Sequence, residues 1–143
     1  MLKRRIYKLL ILIIILYKST FSFCQSDFKV MDIKYFDFSM TTDSKIDCNL
    51  FEYAGNFKTI QYTDSTKIKE FLFLTKSLKR DTAESYMPDV RAKIILRTRD
   101  GEKDIICLSN LGICFNNTPM KMNDKYLYYI KRLIKAKDKE FDF

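Results

Sequence analysis

Apolar residues recur along this chain with two different periods. From Phe28 to Met40 they alternate loosely, Ile33 and Tyr35 on one parity and Phe36, Phe38 and Met40 on the other. The change of parity predicts one long strand with a bulge, or two short strands. After the polar stretch Thr41 to Ser44, the alternation of Ile46, Cys48 and Leu50 runs on toward Tyr53. Ala54-Gly55-Asn56 then reads as a turn and Phe57 to Tyr62 as a strand, which together predict a hairpin. The period changes at Asp64, a residue suited to cap a helix. Ile68, Phe71, Leu72, Thr75 and Leu78 follow it at spacings of three and four, and Phe73 and Leu74 widen the stripe, so this helix is expected to be well buried. Lys79 to Pro88 is a polar loop, because Pro88 stops a helix from running on into Asp89.

Val90 to Leu108 reads as a second hairpin turning on Asp100-Gly101. With those two residues at the tip, Arg99 faces Glu102, Arg97 faces Asp104 and Ile95 faces Ile106. Opposite charges near the tip and apolar pairs behind it favour that register. Both faces are apolar at the base, which places the hairpin centrally in its sheet. A short strand, Ile113 to Phe115, and a turn, Asn116-Asn117-Thr118-Pro119, lead to a last helix. Asn123 caps it, Leu127, Ile130, Leu133 and Ile134 form its inner face, and Tyr126, Tyr128 and Tyr129 ring its first turns. The predicted order is β-β-β-α-β-β-β-α. It implies an α+β domain with an antiparallel sheet of about five to six strands and two helices on one face.

The segment before Phe28 has another character. Met1 to Lys8 carries four basic residues, Leu9 to Tyr17 is an apolar run without charge, and Lys18 follows. A basic start and an apolar run of nine residues suit a signal peptide, and fall well short of the roughly 20 residues of a spanning helix. Ser22-Phe23-Cys24 sets small residues one and three positions before a cut, so cleavage is expected after Cys24. Residues 1–24 are thus read as a leader and 25–143 as one domain. The alternative is an uncleaved N-terminal anchor; a lipid on Cys24 fits less well, because Phe23 stands where a lipobox carries a small residue. The expected location is across the membrane, periplasmic or secreted, with membrane contact only through an uncleaved or lipidated N-terminus.

Taking the leader away changes the charge picture. The whole chain is +8, with 26 basic against 18 acidic residues, but five of the basic ones (Lys3, Arg4, Arg5, Lys8, Lys18) lie in residues 1–24, so the remainder is +3. Lys121 to Lys139 alone holds seven basic and two acidic residues. One helix face is basic while the domain is not, and an exported protein rarely meets nucleic acid, so none is expected as a partner.

Candidate chemistry is sparse. The chain has no histidine, which removes the general base of Ser-His-Asp and Cys-His systems and the imidazole ligands of zinc. The three glycines stand singly, with no phosphate-binding loop. A carboxylate pair in the glycosidase manner is the one catalytic arrangement the composition leaves open. No enzyme activity, metal or cofactor is expected. Cys107 and Cys114 flank Ser109 to Gly112 so that a tight hairpin sets them opposite each other, as a disulfide staple or as two small core residues. Asn116-Asn117-Thr118 matches a glycosylation acceptor by chance composition.

A well-formed domain without a catalytic inventory implies specificity carried by a surface, and hence a protein partner: an inhibitor, an immunity-like protein or an envelope accessory factor. Tyr35, Phe36, Tyr53, Tyr62 and Tyr86 are the aromatic candidates for such a surface. Lys131, Arg132 and Lys135 are the basic candidates on the last helix. The alternative function is a small ligand- or lipid-binding domain with a pocket between sheet and helices.

Overall fold

A computed structural model describes residues 27–40, 44–82 and 89–141. The expected leader, its cut after Cys24 and the candidate Tyr86 lie outside these residues. Six strands form one antiparallel sheet: β1 (Phe28–Tyr35), β2 (Lys58–Tyr62), β3 (Ala92–Thr98), β4 (Lys103–Leu108), β5 (Ile113–Phe115) and β6 (Thr118–Met120). Their spatial order is β2-β1-β3-β4-β5-β6. Two helices, α1 (Ser65–Lys76) and α2 (Asp124–Lys137), complete the α+β domain. Among the described residues no helix is long and apolar enough to cross a membrane.

Strand parity decides what the sheet buries. Met31, Ile33 and Tyr35 of β1 stand beside Leu96, Ile94 and Ala92 of β3, and Ile94 beside Ile106 of β4. All of these point to the helices and join Ile68, Phe71, Tyr126, Ile130 and Ile134 in the main core. Each such side chain contributes about 1.5–3 kcal/mol on burial. The helix starts are capped as read, Asp64 accepting from the Thr66 N–H at 2.8 Å and Asn123 from the Tyr126 N–H at 3.1 Å. Phe73, expected within the α1 stripe, is instead 75% exposed, because the helix buries only the arc from Ile68 through Phe71 to Thr75.

The β3–β4 register differs from the expected one by a residue. Ile94 pairs with Ile106, Ile95 with Ile105, Leu96 with Asp104 and Arg97 with Lys103. The loop is Arg99-Asp100-Gly101: Gly101 donates to the Thr98 carbonyl at 3.3 Å, Thr98 to the Glu102 carbonyl at 3.0 Å, and Gly101 has φ +86°. This is a type I turn closed by a left-handed glycine, a standard three-residue hairpin. The observed register keeps Ile94 with Ile106 and Ile95 with Ile105 but sets Leu96 beside Asp104, so side-chain matching does not select it and the tip decides. Exposed cross-strand charge pairs, at roughly 0.2–1 kcal/mol, do not outweigh the turn geometry.

Two other elements changed places. Ile46 to Leu50 is no strand, because the Asp47 carboxylate accepts from the N–H groups of Asn49 and Leu50, both at 2.8 Å, and winds the chain into a 3-10 turn over Phe51–Tyr53. The missing strand is supplied by β6. Asn116 and Asn117 both have positive φ, 45° and 62°, and make a two-residue turn from which Thr118–Met120 returns against β5. The expected irregularity of β1 lies between Phe28 and Val30, not at Tyr35. Phe36 simply crosses to the other face of the sheet.

Candidate interaction surface

On the face of the sheet away from the helices, residues 44–57 pack over part of the strands. Phe36, Ile46, Phe51, Val90 and Cys107 form a second, smaller core there. Phe51 is fully buried, its ring 5.0 Å from that of Phe36 and 5.6 Å from that of Phe57. The Val90 N–H donates to the Ile46 carbonyl at 2.8 Å, and Cys48 is bonded to Cys107.

That disulfide corrects the expected pairing of Cys107 with Cys114. The two do stand opposite each other in β4 and β5. However, Ser109 donates to Gly112 at 2.9 Å and Asn116 to Ile105 at 2.8 Å. By alternation Cys107 and Cys114 are then a hydrogen-bonded pair, in which side chains stand further apart than in the pairs between. Cys48 arrives over the face with its Cα 5.8 Å from that of Cys107, the separation disulfides favour. Cys114 keeps a free thiol, and burial pushes its pKa up, partly offset by a backbone bond from Asn117.

The disulfide spans 59 residues of sequence. It is worth about 4 kcal/mol on the chain-entropy estimate, to which Phe51 adds about 2 kcal/mol by burial. The 44–57 segment is therefore a fixed arm. Its tip presents Leu50, 54% exposed, and Tyr53, 84% exposed. Between them Glu52 turns back to the sheet, 2.6 Å from the Lys34 ammonium and 3.5 Å from that of Lys93. Burial alone pushes the Glu52 carboxyl up, and these ammonium groups, Lys34 first, more than offset it, so its pKa lies below the usual range. Beyond the arm the face is open and polar. Asp32 there pairs with Arg97 and accepts from the Gln61 amide at 2.8 Å.

The expected surface residues do not come together. Tyr35, Phe36 and Tyr62 are buried: Tyr35 faces the helices and donates to Asp138 at 2.7 Å, Tyr62 donates to the Leu133 carbonyl at 2.6 Å, and Phe36 lies under the arm. They are corrected to core residues, Tyr35 and Phe36 because the chain is apolar on both faces at the end of β1, and Tyr62 because it stands beside Met31 on the helix side of β2. On α2, Arg132 is exposed, but the Lys131 ammonium sits 4.8 Å from the Phe38 ring centre. Lys135 donates to the carbonyls of Phe141 at 2.6 Å and Lys139 at 3.0 Å, so it fastens the segment that follows α2 rather than offering a free charge. Asn116 spends its side chain on the Ile105 N–H and on Asp104, both at 2.7 Å. Among the described candidates, Tyr53 and Arg132 are exposed. Leu50 and Glu52 were missed, and the available signal was Asp47, a residue that winds its own backbone into a turn.

Among the described residues no group of three or more His, Cys, Asp or Glu could hold a metal ion. A cleft of about 470 Å³ lies between the start of β1 and α1, floored by Phe28, Ile68 and Leu72 and rimmed by Lys29 and Lys69. No family model, no curated protein and no solved structure matches the chain.

Proposed function

We propose that this chain is an exported, non-catalytic domain that binds another protein through the tip of its 44–57 arm. The observation that carries the reading is Tyr53, 84% exposed on an arm anchored by the Cys48–Cys107 bond and by Phe51. A large aromatic presented on a fixed backbone loses little freedom on binding, which is how anchor residues gain affinity. The disulfide supports export, because such bonds persist in oxidising compartments. The test is capture from envelope extract by the full chain and by two variants. Tyr53→Ala should lose the captured protein, whereas Phe73→Ala, which removes an aromatic 75% exposed on α1, should keep it. Equal capture by all three sinks the reading.

A second reading, a small amphiphile bound between β1 and α1, is favoured by the 470 Å³ cleft, whose size suits such ligands. A fluorescent fatty acid should then bind the full chain and be expelled by Leu72→Arg. No binding by the unmodified chain removes this reading.

A further inference from the structure

The sheet has two outer strands, and they end differently. β6 is three residues long and contains Pro119, which has no N–H to offer a neighbour. It is also closed by the segment that follows α1: Lys121 donates to the Lys79 carbonyl at 2.8 Å, Asp81 to that of Pro119 at 3.0 Å, and Arg80 pairs with Met120. β2 has none of these devices. Its five residues run against β1 in unbroken register, without proline or bulge. Among the described residues, none of its outward backbone groups has a partner. Such an edge is a template for another strand.

Charge is uneven along that edge. At its start the Lys58 ammonium is 2.7 Å from Asp138 and also feels Glu140 and Asp37, an excess of negative charge. Past Tyr62, Lys67 and Lys137 line a hollow of about 280 Å³ with Asp64, which caps α1; Lys67 is paired with Glu70 at 3.5 Å, and the Lys137 ammonium lies 5.6 Å from the centre of the Tyr62 ring. We propose that β2 pairs antiparallel with β2 of a second copy of this chain, with Ile60 on the two-fold axis. In that register Lys58 faces the partner's Tyr62 and Thr59 faces the partner's Gln61. Lys58 carries with it Asp138, Glu140 and Asp37, so the acid-rich start of each edge meets Lys137 of the other. The surface is its own complement, as a two-fold contact requires.

Sedimentation equilibrium and amide exchange on the full chain test the pairing, and they need no foreign partner. This surface is separate from Tyr53, so the dimer and the arm reading can fail independently. The expected result is a dimer that weakens in high salt, with β2 amides that exchange faster on dilution. Ile60→Lys sets two ammonium groups on the axis and should give a monomer. Because Ile60 also packs on the main core, the surface change Lys137→Glu serves as a second variant, expected to weaken the dimer by about tenfold or more. A monomer at every concentration overturns the proposal. So does a dimer unchanged in both variants, or protection of β2 that appears only with a foreign protein.

Discussion

Arg97 stands directly opposite Lys103 across the β3–β4 hairpin, and forms its ion pair with Asp32 on the strand to its other side. The turn at Gly101 sets the register, the register places two cations face to face, and the guanidinium finds its carboxylate one strand away. A double-mutant cycle by denaturant unfolding separates this from the register read in sequence. Asp32 and Arg97, each to Ala, should couple by about 1 kcal/mol or less, since Arg97 is partly exposed. Arg97 and Asp104 should couple by less than about 0.3 kcal/mol. The opposite ranking would restore the other register.

The same turn makes its own prediction. A Cβ on Gly101 would meet nothing within 4 Å, so Gly101→Ala carries only the backbone cost of φ +86°, about 1 kcal/mol. Asn tolerates this conformation, and Gly101→Asn should recover most of the loss in thermal unfolding. Equal destabilisation by both would mean that the side chain meets an obstacle.

How far the sequence could be read follows from which forces were local. Ile68, Phe71 and Ile130 declare helices by spacing, and Asp64 and Asn123 mark their starts, so both helices were legible at their N-terminal ends, while Leu78, counted in the stripe, lies past Lys76 where α1 ends. The pairing of Cys107 with Cys114 across β4 and β5 was legible as well, because it needs only a tight turn. The bond itself was not, since Cys48 reaches Cys107 only once residues 44–57 lie over the sheet. Tyr35 and Tyr62 could not be told from surface aromatics, because their burial depends on Asp138 and Leu133, far along the chain. Tyr53 is exposed for a reason the alternating pattern did not carry: a 3-10 turn of three residues buries one side chain, and Phe51 is that one.

Removal of cysteines tests the staple. Cys48→Ala should cost up to about 4 kcal/mol in guanidinium unfolding, while Cys114→Ala, at a half-buried free thiol, should cost about 1 kcal/mol or less. Alkylation of the unfolded, unreduced chain should label Cys114 and leave Cys48 and Cys107 unmodified. Label on Cys48 with Cys114 protected would return the disulfide to the pairing expected from the turn.

Asp138 ties the end of α2 to the sheet, accepting at 2.7 Å from both the Lys58 ammonium and the Tyr35 hydroxyl. The first of these bonds, then the second, draws its carboxyl down from the ordinary 3.8 to about 2. A folded carboxyl that holds its proton less tightly than the unfolded one stabilises the fold fully above the unfolded value. That contribution is lost as pH falls through the folded one. The window is therefore from about pH 4 to about pH 2. Asp37 and Glu52 are shifted the same way and add to acid sensitivity in general, so comparison with Asp138→Asn isolates this carboxyl. The variant should be less stable at neutral pH, and the gap in denaturation midpoint should close between pH 4 and 2. A gap that stays constant across that window would mean that Asp138 contributes through its shape and not through its charge.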